Sequence, residues 1–154
     1  MKILILGAGR VGSSLASTLS KENYDVSVVD NNKDKLLRLQ EDFDLATIIG
    51  HAPHPHTLKS AGADEDTIVL AVTNSDECNI TACQISKSQF KVKKTICRLS
   101  DASYLNSLDA FGDDNIDIAI GPENEVTDHL VDLIKHPGAE QIETFANGSL
   151  KVVS

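Results

Sequence analysis

Residues 4–16, LILGAGRVGSSLA, carry an apolar strand into three spaced glycines and on into an amphipathic segment. The glycines follow the pattern GxGxxG in Gly7-Ala8-Gly9-Arg10-Val11-Gly12, and each has its own physical use. Gly7 permits a tight turn out of the strand, Gly9 lets the backbone approach a pyrophosphate, and Gly12 lets the helix pack closely on the sheet. An anion held there meets free N–H groups and the positive end of the helix dipole. Glycines cluster in many turns, so the pattern draws its weight from its setting between a strand and a helix.

The next strand-like run, Asp25 to Asp30, ends in a carboxylate about 20 residues beyond the glycines. A carboxylate at that point accepts hydrogen bonds from a ribose diol and repels a 2′-phosphate, which favours NAD(H) over NADP(H). Asn31 beside it joins the expected site. A glycine-rich turn followed by an N-capping Asp, with no ligand, is the plain alternative.

Further along, β-branched runs alternate with helical patterns. Lys2–Leu6, Asp25–Asp30, Leu45–Ile49, Thr67–Val72, Thr95–Leu99 and Asp117–Ile120 read as strands. Val11–Lys21, Lys33–Glu41, His56–Ala61, Asp76–Ser88 and Ala102–Ala110 read as helices. Such alternation calls for parallel strands with helices on both faces: an α/β, Rossmann-type, doubly wound six-stranded parallel sheet over residues 1–121. Pro122 opens a further helix, ended near Lys135 by His136-Pro137-Gly138, and residues 122–138 are expected to be a crossover and assembly helix. Its Val126, Leu130, Leu133 and Ile134 make one apolar stripe, which suits either a dimer or ordinary packing on its own sheet. Residues 139–154 read as a hairpin turning at Asn147-Gly148. A lone hairpin is marginal in water and wants a sheet to join, so the chain is expected to end inside a following small domain.

The bulk figures agree with one soluble globule: 154 residues, 41% hydrophobic and 24% charged. With 14 Lys plus Arg against 23 Asp plus Glu, the net charge of −9 repels a phosphate backbone, so nucleic acid is not an expected partner. No apolar run approaches the ~20 residues of a membrane span, and the expected location is cytoplasmic. The three cysteines, Cys78, Cys83 and Cys97, have neither disulfide-framework nor zinc-site spacing.

Other chemistry is weaker. His51, His54 and His56 in GHAPHPH have a spacing that brings imidazoles near one another, but Pro53 and Pro55 hold the stretch extended and solvated loop histidines account for it. No GxSxG motif supports a hydrolase. Thr73 and Asn74, after the fourth strand, fall on the carboxyl edge where open α/β sheets bind ligands, although helix capping explains this stretch nearly as well. Arg98 and Glu123 share that edge, and an arginine there pairs with a phosphate or with a carboxylate.

MKILILGAGRVGSSLASTL, YDVSVVD, FDLATIIGHAPHPHTLKSAGADEDTIVLAVTNSDECN and IAIGPENEVTDHLVDLIKHPGA together resemble the N-terminal RCK/KTN nucleotide-binding domain of the TrkA family, the cytosolic subunits of bacterial Trk-type potassium uptake systems. Among nucleotide-binding folds, AVTNSDExN and the PE…IxxPGA ending are its more specific parts. The resemblance implies a non-enzymatic sensor of NAD(H), with ATP as a further ligand, that gates a membrane potassium transporter subunit of TrkH type. Such a protein works as a homo-oligomer, a dimer or larger, peripheral to the inner face of the membrane. It also implies phosphates at Gly7, Gly9 and Gly12, ribose at Asp30, and a cleft flanked by Gly50, His51, Thr73 and Asn74. Arg10, Arg98 and Glu123 would read the far end of the ligand. The alternative is a fragment of an NAD-dependent dehydrogenase, which needs an acid or base beside the nicotinamide; no recognisable motif offers one. A sensor of this type with some other partner is a third reading.

Overall fold

KILIL forms the central strand. The computed structural model describes residues 1–108, 115–121, 126–135 and 150–152. In chain order its elements are β1 (Lys2–Leu6), α1 (Arg10–Lys21), β2 (Asp25–Asp30), α2 (Lys33–Asp42), β3 (Ala46–Ile49), α3 (Pro55–Ser60), β4 (Thr67–Ala71), α4 (Asp76–Phe90), β5 (Lys94–Arg98), α5 (Ala102–Asn106), β6 (Ile118–Ile120), α6 (Val126–Lys135) and β7 (Leu150–Val152). The sheet order is β3-β2-β1-β4-β5-β6-β7. The first six strands are all parallel, and the direction of winding reverses between β1 and β4.

Alternation along β1 sorts the core into two layers. Ile3 and Ile5 face Leu15, Ala16 and Leu19 of α1, Leu36 and Leu39 of α2, and Leu130, Val131 and Ile134 of α6. Leu4 and Leu6 face Leu58 of α3 and Ile80, Ala82 and Cys83 of α4. A strand covered on both faces has no use for polar side chains, which is why KILIL and TIVLA are nearly uniform apolar runs. Side-chain caps start three helices: Asn32 accepts from the Asp34 and Lys35 N–H groups, Ser75 from Cys78 and Asp101 from Ser103.

Three expectations change. The helix expected over Ala102–Ala110 stops at Asn106, where the Ser107 N–H turns back to the Tyr104 carbonyl at 3.0 Å; residues 109 and 110 lie outside the described residues. Of the stripe on α6, Leu130 and Ile134 are buried against α1 and the sheet and Leu133 packs partly buried beside them, while the Val126 side chain lies outside the described residues. Finally, β7, the second half of the expected hairpin, lies antiparallel on β6 as a seventh strand of the same sheet, with Ile118 opposite Val152 and Ile120 opposite Leu150. The unpaired edge of β6 supplies the row of backbone groups a short strand requires. The Asn147-Gly148 turn and Glu123 lie outside the described residues.

Candidate nucleotide-binding cleft

The register of the parallel strands brings their carboxyl ends level: Leu6 pairs with Val29 on one side and Ala71 on the other, and Ala71 pairs with Cys97. Gly7, Asp30, Thr73 and Arg98 thus emerge at one edge, over the point where winding reverses, the usual ligand position in such sheets. A cleft of about 380 Å³ opens there. The β1–α1 turn lines it with Gly7, Gly9, Arg10 and Val11, and the end of β2 with Asp30 and Asn31. Gly50 and His51 follow β3, Thr73 and Asn74 follow β4, and Arg98 ends β5. Of the other expected site residues, Ala8 acts through its backbone and Gly12 sits beneath the turn rather than on its surface.

The three glycines are needed for different reasons. Gly7 has φ +109°, and a Cβ there would stand 3.0 Å from the Thr73 backbone. A Cβ on Gly12 would overlap the Gly7 carbonyl oxygen. At Gly9 an added Cβ meets no protein atom within 4 Å, and the residue lines the cleft. Internal packing therefore does not call for glycine at this position, whereas the approach of an external group does. The N-terminus of α1 behind it has no side-chain cap and no acidic residue in its first turn, so its N–H groups and dipole face the cleft.

Asp30 has a second task beyond the one read in the sequence. Its Oδ2 accepts the Ala8 N–H at 2.7 Å and its Oδ1 accepts the Asn32 N–H at 2.7 Å. The carboxylate thus ties the glycine turn to the start of α2, and its remaining lone pairs are left for hydroxyl donors. On the opposite side the buried Asn79 amide grips two strand ends. Its Oδ1 accepts from the Thr73 N–H at 3.0 Å and from the Thr73 hydroxyl at 2.6 Å. Its Nδ2 donates to the Thr73 carbonyl at 3.1 Å and the Arg98 carbonyl at 2.8 Å.

Lys35, on the first turn of α2, also lines the cleft and was missed in the sequence. Its signal was position: a cation one turn into the helix that follows the Asp30 carboxylate. Among the described residues Asp30 is the only carboxylate lining the cleft beside Arg10, Lys35 and Arg98, and none of these three cations forms an ion pair there. The cleft is a cationic site on an acidic chain. The His51 and His54 rings meet edge to face at 4.7 Å between centroids, with His56 5.4 Å beyond His54; among the described residues no three metal-ligating side chains converge.

Residues 3–122 match the family model of the TrkA-N domain. The chain is 42% identical over 157 residues to the Trk system potassium uptake protein TrkA of Vibrio alginolyticus, covering 100% of this chain and 34% of that protein. It thus spans about a third of the length of the curated relatives it matches. The TrkA-N domain of the inner membrane protein ybaL from Escherichia coli superposes with a TM-score of 0.69 at 17% identity, over 86% of this chain and 96% of that one. The GsuK channel bound to NAD superposes with a TM-score of 0.59 at 23% identity, over 72% of this chain and 20% of that one. Both are likenesses of fold. With the glycine turn, the sheet order and the family match in agreement, the chain belongs to the TrkA-N domain family.

Proposed function

We propose that the cleft binds NAD(H), and that the domain is the nucleotide-sensing part of a regulatory subunit that gates a bacterial Trk-type potassium transporter. The observation that carries the ligand is the open space at Gly9 before the uncapped N-terminus of α1, with the Asp30 carboxylate across from it. NAD would place its pyrophosphate at that turn and a ribose at Asp30. Binding is the chemistry this requires: the backbone N–H groups neutralise phosphate, and Arg10, Lys35 and Arg98 add positive charge that suits ATP as a second ligand. The GsuK channel, part of which shares this fold, is bound to NAD, and the relatives that match the whole chain are named as potassium uptake proteins.

In this reading the protein is not an enzyme. It works in the cytoplasm as a homo-oligomer on a TrkH-type membrane subunit, and among the described residues no helix is long and apolar enough to cross a membrane. Residues 1–121 form the nucleotide domain and 122–138 the crossover, with β7 returning to the edge of the same sheet. A ligand shifts such a switch only by the difference in its affinity for the two states.

Calorimetric titration of the chain with NADH tests the ligand. One site per chain is expected, with affinity falling at least tenfold in Asp30→Ala, where about 1.4 kcal/mol of binding energy is lost. The absence of binding heat and of any shift in melting temperature would overturn it. Purification from membranes is expected to recover a potassium transporter of TrkH type.

A further inference from the structure

The stretch AVTNSDECN, residues 71–79, contains more polar residues than a strand-to-helix turn needs, and the nucleotide reading uses only Thr73 and Asn74 from it. Asp76 and Asn79 lie on the first turn of α4 and are buried, Asp76 at 8% exposure and Asn79 at 0%. Asn79 bonds the ends of both β4 and β5, and Asp76 the turn that follows β5. Asp76 accepts the Ser100 N–H on Oδ1 and the Asp101 N–H on Oδ2, each at 2.8 Å. Asn79 takes the Thr73 N–H and gives to the Arg98 carbonyl.

The β4–β5 ladder runs as far as Ala71 opposite Cys97. Just beyond it the Asn79 side-chain amide stands between the two strands and makes the bonds of an inserted peptide unit, accepting from one strand and donating to the other. The two strand ends are tied to one side chain there, at the mouth of the cleft. Backbone groups of Arg98, Ser100 and Asp101 are all fixed by α4.

We propose that Asp76 and Asn79 are positioning residues which set the β5 half of the cleft, and through it the recognition of any ligand long enough to reach Arg98. This rests on the reading of the cleft as a nucleotide site. Asp30 on β2 and Arg98 on β5 are three strand spacings apart, about 14 Å. A mononucleotide seated on Asp30 and the α1 N-terminus stays on the near side; a dinucleotide crosses to the clasped side. The near side has its own brace in Asp30, whose bonds to Ala8 and Asn32 do not pass through Asn79.

NADH and AMP separate the two halves. In Asn79→Ala, NADH affinity is expected to fall about tenfold while AMP affinity stays within about twofold, the loss of a buried hydrogen-bonded group felt on one side only. The double variant Asn79→Ala/Arg98→Ala is expected to bind NADH no worse than Arg98→Ala alone, because Asn79 acts through Arg98. Equal losses for the two ligands, or losses that add, would show a merely structural amide and overturn the proposal. Should Asn79→Ala fail to fold, Asp76→Asn is measured in the same way, and so is amide exchange in the unaltered chain: NADH is expected to slow exchange at Ser100 and Asp101, and AMP to leave it unchanged. Slowing by both or by neither overturns the proposal too. Failure of the unaltered chain to bind either nucleotide would instead remove the nucleotide reading, and the proposal with it.

Discussion

Gly9 and Gly12 are three residues apart in one motif, yet they are expected to respond in opposite ways to the same added methyl group. Gly9 has φ −76° and ψ −163°, which alanine adopts freely, and its new Cβ would point into open space. Gly9→Ala is therefore expected to keep or raise stability, by up to about 1 kcal/mol through the unfolded chain, while NADH affinity drops more than tenfold. Gly12→Ala drives a Cβ into the Gly7 carbonyl and is expected to cost about 2 kcal/mol or more of stability. Urea denaturation and calorimetry on both variants check the contrast. The turn role of Gly7 and the packing role of Gly12 were legible in the sequence because spacing separates the positions of the motif, and the ligand role proposed for Gly9 is what the titration reads. The brace made by Asp30 was not: its partners are backbone N–H groups, which every residue carries and no motif marks. Asn79 was quoted within a distinctive stretch but had no role until Arg98, 19 positions on, was found beside it.

Individual elements were read well where their pattern is local and less well where a distant partner decides them. The helix was expected to start at Ala102 and does so, with Asp101 as its cap, while its length was overestimated. That cap gives a pH-dependent outcome. The Ser103 hydroxyl and then the Ser103 N–H hold the Asp101 carboxyl below its ordinary value. A depressed carboxylate stabilises above its unfolded pKa and loses this contribution as pH falls through its folded one, so α5 is expected to fray below about pH 4. Amide exchange at Ser103 and Tyr104, compared between pH 6 and pH 3, should quicken beyond the intrinsic change; a constant protection factor would show that the cap contributes nothing. For β7 the hairpin pattern was visible, but its place on β6 depends on an open edge formed about 30 residues earlier, which no local pattern records.

Across the molecule, alternating strands and helices were enough for the doubly wound class, and the cleft follows from it because winding reverses beside β1. Arg10 and Arg98 were expected at the cleft from the sequence, whereas Lys35 was not, since it comes from a helix that no motif ties to the glycine turn and lies on a chain of net charge −9. The same architecture distributes the three thiols unequally. Cys83 and Cys97 are wholly buried between α4 and β5, and the Cys97 thiol, followed by burial, pushes Cys83 well above its ordinary pKa. Cys78 is half-buried and lines the cleft. Because only an accessible thiolate reacts with an alkylating agent, iodoacetamide is expected to modify the folded chain once, at Cys78, and more slowly when NADH is present. Mass spectrometry of the labelled peptide would follow this, with label at Cys83 or a rate indifferent to NADH as the contrary result. The domain thus carries its own occupancy reporter, a chemical footprint of the ligand that needs no engineered probe and can be read inside a whole membrane preparation.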